Sequence, residues 1–183
     1  MPHFLIIDVE ATCWDQRSEH LGENEIIEIG LALLSPDKEL LLNEGCFVRP
    51  SVNPILSDCC KKLTSISQDD VDSAGYFPEV MKQFENKVSG LTKQPLRDLL
   101  FISWGNYDRN QFMHDCTLHS YPYPFGEHFN LKEAFRQKHG LKKAGLDAAM
   151  KFIKLPMQGT HHRGKDDALN ISTIFKYFDR ELT

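Results

Sequence analysis

Long apolar runs are missing from this chain of 183 residues, and none approaches the ~20 needed to cross a bilayer. A secretory start is missing too: Met1-Pro2-His3-Phe4 opens straight into a strand-like run, with no basic stretch and no small-residue cleavage site. Cysteine is sparse and scattered. There are five, an odd number, and no pair has C-x2-C spacing, which argues against a disulfide framework and a zinc site and points to a reducing, cytoplasmic compartment. Excess positive charge is absent, since 21 Lys and Arg face 26 Asp and Glu. That balance excludes a general nucleic-acid coat, though not a nuclease whose acidic centre is neutralised by metal. Repeats and low-complexity tracts are absent as well. What remains is 41% hydrophobic and 26% charged, an ordinary globular composition. At ~150 residues per domain this length predicts one domain, large enough to hold a core without disulfides.

Residues 3 to 9 read as a strand with Phe4, Ile6 and Asp8 on one face and Leu5, Ile7 and Val9 on the other. Apolar residues on both faces place it inside a sheet. Residues 25 to 34 and 39 to 49 read as two more strands, with a Pro36-Asp37 turn between them, completing an antiparallel meander. Val80, Met81, Phe84, Val88 and Leu91 then fall on one helix face, opened by Pro78. Residues 96 to 103 read as a fourth strand. Helices are expected over 107–119, 131–139, around Leu146, Ala149, Met150 and Ile153, and over 165–181. Residues 120 to 130 read as a loop with a short edge strand near Phe129. The order predicts an α/β fold, a mixed sheet flanked by helices.

Several carboxylates sit where apolar residues belong. Asp8 and Glu10 are two apart at the end of the buried strand, so both point to one face. Their repulsion, worsened by burial, is relieved by a divalent cation, whereas a strand end in solvent would need none. Asp108 lies four residues before Phe112 and extends that helix's buried face. A first-turn acid favoured by the helix dipole accounts for it equally well. Asp167 continues the stripe of Ile171 and Ile174, where an unpaired carboxylate is costly, while Asp166 points about 100° away. His162 stands five residues before Asp167, in a glycine-containing loop. Together these acids suit hard, oxygen-seeking ions such as Mg²⁺ or Mn²⁺.

These residues carry a resemblance. Asp8-Val9-Glu10, Asp108 and His162-x4-Asp167 resemble the DEDDh 3′–5′ exonucleases of the ribonuclease-H-like superfamily. DVEATC at 8–13, EIIEIG at 25–30, FVRP at 47–50, LTSISQDDVD at 63–72, FPEV at 77–80, SWGNYD at 103–108 and HRGKDDALNI at 162–171 are similar to the Eri-type exoribonuclease branch. His161 and Asp166 repeat the spacing of His162 and Asp167. The second pair is chosen because Asp167 lies on the buried stripe and the residues after it match the branch.

The resemblance implies a single exonuclease domain over residues 1–183, with a mixed five-stranded sheet: the antiparallel meander plus parallel strands, flanked by helices. It implies two Mg²⁺ or Mn²⁺ ions held by Asp8, Glu10, Asp108 and Asp167, with Glu10 and His162 catalytic and His162 the general base. Glu10, Ala11, Thr12 and His162 are expected to bind substrate, a single-stranded RNA or DNA 3′ end with RNA favoured. The product would be a nucleoside 5′-monophosphate. A DNA-directed proofreading-type exonuclease and a catalytically silent binding module are the alternatives. No protein partner and no membrane association are readable. Arg163 and Lys165, beside the histidine, are candidates to hold phosphates, and Trp14 and Trp104 to stack a base.

Overall fold

The computed structural model describes residues 3–15 and 24–180. Three strands come first: β1 (Phe4–Ala11), β2 (Ile26–Leu34) and β3 (Leu40–Phe47). Each runs antiparallel to the one before it, with Asp8 opposite Gly30 and Gly30 opposite Gly45. The short helices α1 (Asp58–Thr64) and α2 (Gln68–Asp72) follow. They went unforeseen because segments this short carry little periodicity. The Ser67 side chain accepts from the Asp70 N–H and the Asp70 carboxylate accepts from the Ser67 N–H, so α2 opens on a capping box.

Helix α3 (Phe77–Thr92) has Pro78 in its first turn, as expected. Val80, Met81, Phe84 and Val88 are buried, but Leu91 is exposed, because the last turn buries Thr92 in its place. The expected fourth strand is shorter than its apolar run. Pro95 precedes a 3₁₀ turn at Leu96–Asp98, and only Leu100–Ser103 forms β4. The chain continues as α4 (Tyr107–Leu118), β5 (His128–Asn130), α5 (Leu131–Lys138), α6 (Leu146–Phe152) and α7 (Gly164–Arg180).

The sheet order is β3-β2-β1-β4-β5, with β4 parallel to β1 and β5 parallel to β4. This is the mixed five-stranded sheet predicted, with β1 at its centre. Its two faces bury different residues. Leu5, Ile7 and Val9 pack with Phe77, Phe84, Phe101 and Phe112 on one side. Ile6, Ala32 and Ile102 pack with Phe135, Met150, Ile171 and Ile174 on the other. Each of the larger side chains among them contributes roughly 1.5–3 kcal/mol by leaving water. The alternation along β1 also fixes the site. Asp8 and Glu10 share the parity of Ile6, so they face the side that carries α7.

That approach depends on two glycines. A Cβ on Gly30 would stand 1.8 Å from the Gly164 carbonyl carbon, and one on Gly164 would stand 2.9 Å from the Asp8 carbonyl oxygen. The first turn of α7 therefore lies directly on β1 and β2, at a distance only glycine allows.

Candidate active site

Asp167 is in that first turn and is buried. Oxygens of Asp8, Glu10 and Asp167 lie within 4.8 Å of one another. Asp108 arrives from the other neighbour of β1. The pairing of β1 with β4 ends at Ile6 and Ile102, and beyond it the Val9 N–H donates to Asp108 Oδ1 at 3.0 Å. A strand that stops short thus leaves a backbone donor for a helix-start acid, and both readings of Asp108 in the sequence describe part of its role. The four acids line one cavity of about 370 Å³ with His161 and His162.

The electrostatics of this cavity are those of a cation site. Burial pushes the Asp8 carboxyl well above the usual range, and the charged groups that add to the shift, Asp108, Glu10, Asp167 and Glu28, are all acidic. Burial, then Asp167, Glu28 and Asp108, push Glu10 up to about 8. Asp108 rises to about 6 through burial, partly offset by the Val9 N–H. Among the described residues no donor bonds the Asp8 or Glu10 carboxylate. A divalent ion would supply the missing positive charge, and hard oxygen donors are ligands that such ions take. Among the described residues the clusters with metal-ligand geometry contain no cysteine.

Asp167 differs from its neighbours. It accepts from the His162 N–H at 3.0 Å and meets His161 Nδ1 at 3.0–3.1 Å. His161 and His162 stack with ring centres 4.0 Å apart. The choice between the two pairs in the sequence thus divides unevenly. Asp166 is bound to the Thr160 N–H outside the cavity, but both histidines line it. His162 has its pKa lowered by burial and by His161, so its imidazole is neutral at neutral pH.

Ala11 and Cys13 form part of the wall. Thr12, between them, is turned inward and buried, its Oγ1 accepting the Glu25 N–H at 2.9 Å. Trp104 lines the cavity, but its ring packs on Phe135 and its Nε1 donates to the Ala144 carbonyl. Arg163 does not line it. The guanidinium is paired with Glu28. Lys165 is exposed and also outside the cavity lining. The sequence reading missed Tyr107 and Leu63, both half-exposed on the cavity wall. Exposed apolar residues at otherwise polar helix positions were their only signal. Lys132 is a further lining residue.

The comparisons agree with this geometry. The exonuclease family model matches residues 5–175. A 3′–5′ exonuclease, eri1, of Schizosaccharomyces pombe is 30% identical over 199 residues, covering 95% of this chain and 67% of its own. The probable 3′–5′ exonuclease KapD of Bacillus subtilis is 32% identical over 182 residues, covering 97% and 84%. The solved nuclease domain of 3′hExo, described as a DEDDh family member bound to rAMP, superimposes with TM-score 0.88 at 28% identity and covers 98% of this chain and 92% of that one. With the family model matching nearly the whole chain, and the same acids converging on one cavity, the protein belongs to the RNase_T exonuclease family and its relatives include Eri-type members.

Proposed function

We propose that this chain is a metal-dependent 3′–5′ exonuclease that removes nucleoside 5′-monophosphates from single-stranded ends, with RNA the favoured substrate. One observation carries the reading: three carboxylates converge within 4.8 Å in a cavity that also holds two histidines. Asp8, Glu10 and Asp167 are the direct ligands, and Asp108, fixed by the Val9 N–H, supports them. Two Mg²⁺ or Mn²⁺ ions, if held by these carboxylates, would supply water activation and charge stabilisation for phosphodiester hydrolysis. His162 takes the proton of the attacking water, and its neutral imidazole is ready for that task at neutral pH.

Tyr107 and Leu63 offer apolar faces at the cavity to the terminal base, and Ala11 leaves room beside the sugar. Thr12 acts by holding the strand exit through Glu25. The preference for RNA is supported by relatives named as exoribonucleases and by the nucleotide rAMP in the structural neighbour. The five free cysteines support a cytoplasmic placement. Among the described residues no helix is long and apolar enough to cross a membrane.

The test is a product time course on 5′-labelled single-stranded RNA and matched DNA, with Mg²⁺ or Mn²⁺, beside His162→Ala. A ladder shortening from the 3′ end, abolished by chelator and slowed about 100- to 10,000-fold in the variant, is the expected result. Faster loss of DNA than RNA would overturn the substrate preference and leave a proofreading-type enzyme. Binding without cleavage by the metal-loaded protein would leave a silent module.

A further inference from the structure

A cation next in sequence to a nuclease histidine invites a phosphate-binding role, but the surroundings of Arg163 point elsewhere. Its Nε lies 3.1 Å from Glu28 Oε2 and its Nη2 lies 3.3 Å from Oε1, a two-pronged grip on one carboxylate. The guanidinium also sits over the Phe47 ring, 5.3 Å from its centre. Glu28 is 1% exposed, and its Oε2 takes the Gly164 N–H at 3.1 Å as well. The Arg163 carbonyl accepts the first helical N–H groups, those of Asp166 and Asp167, each at 2.9 Å. Residue 163 is thus fastened at its side chain and its carbonyl together. Space for this is built into the sheet: a Cβ on Gly45 would stand 2.5 Å from Glu28 Oε1.

The residue just before is the one that needs fastening. His162 has φ of +62°, the left-handed region that a residue with a side chain rarely occupies and keeps only where its surroundings hold it. The Asp167 carboxylate holds its N–H, and the chain after it enters α7 through Arg163.

We infer that Glu28 and Arg163 are positioning residues, a half-buried ion pair that sets the His162 loop and the first turn of α7 against the strand that carries Asp8 and Glu10. The inference rests on the proposed role of His162. Steady-state kinetics on 5′-labelled single-stranded RNA in saturating Mg²⁺ test it, on wild type, Glu28→Gln, Arg163→Met, the double variant and Arg163→Lys, each with a thermal melt. Arg163→Met and Glu28→Gln are each expected to lower kcat about 10- to 100-fold, the usual cost of losing an outer-shell partner, at nearly constant KM. The double variant should be no worse than the worse single, because both remove one interaction. Lysine should restore kcat only in part, since a point charge cannot grip both oxygens.

Arg163→Met that raises KM at unchanged kcat, and flattens the salt dependence by about one phosphate contact, overturns the inference in favour of a phosphate ligand. Losses that multiply in the double variant overturn it too. Should Arg163→Met fail to fold, kcat losses in both Arg163→Lys and Glu28→Gln support the pair, and wild-type kcat in either one defeats it. His162→Ala in the same series separates the two levels. If it retains wild-type kcat, the base assignment has failed. If it is inactive while Arg163→Met and Glu28→Gln keep wild-type kcat, only the positioning role has failed.

Discussion

Glu25 and Glu10 belong to adjoining stretches of the sheet, and both are buried, yet their surroundings are opposite. Glu25 is enclosed by donors. Its oxygens accept the N–H groups of Ser51, Val52 and Asn53 and the Ser51 hydroxyl, at 2.7–3.1 Å, so one carboxylate ties the loop after β3 to the start of β2. Glu10 is enclosed by carboxylates, with no donor among the described residues. A buried acid among donors holds a fold, whereas a buried acid among acids costs stability that only a cation returns. The sequence shows both as acids beside apolar strands.

The sharpest way to break the contrast is to remove the charge on each side. Asp8→Asn should cut the cleavage rate on the order of 1,000-fold, equivalent to roughly 4 kcal/mol of transition-state stabilisation, while the metal-free protein melts no lower than wild type, because a repulsion has gone. Wild-type turnover would exclude Asp8 from the metal site. Glu25→Ala should do the reverse. Orphaning its backbone donors should cost roughly 3 kcal/mol in a urea titration, with the activity of the remaining folded protein preserved. A mild melt together with lost turnover would mean that the Glu25 loop serves the reaction directly.

Smaller effects refine the picture. Tyr107→Ala should raise KM by the equivalent of about 1–2 kcal/mol, with kcat less affected, as expected for one stacked base; an unchanged KM would remove Tyr107 from the substrate path. The least dramatic test concerns pH. Glu10 takes up a proton on folding because its folded pKa, about 8, lies above the ordinary carboxylate value. The stability it allows is complete below that ordinary value, near ~4.3, and is lost as pH rises through the folded pKa. In chelator the melting temperature should therefore fall between pH 5 and pH 8, and Mg²⁺ should raise it by more at pH 8 than at pH 5. A metal increment independent of pH would place binding away from Glu10.

Much of the fold was legible because alternation and helical periodicity are local. Leu5, Ile7 and Val9 against Ile6 and Asp8 announced a strand buried on both faces, and those faces are the two cores. The end of the apolar run at 96–103 was less legible, since Pro95 and the 3₁₀ turn take part of it. The surroundings of Arg163 were hidden for a related reason. Its charge is visible in the sequence, but its partner Glu28 is 135 residues away.

By itself the sequence determined the order of the longer elements, the place of β1 inside the sheet and the shared face of Asp8 and Glu10, because each follows from spacing along one strand or helix. It also marked Asp167 as an acid on a buried stripe. Tertiary structure decided which acids meet. Gly30 and Gly164 let α7 touch the sheet, β4 ends early enough to hand the Val9 N–H to Asp108, and Glu28 pairs with Arg163. Each depends on the distance between segments remote in the chain, and such distances are set by packing the two cores on either side of one sheet.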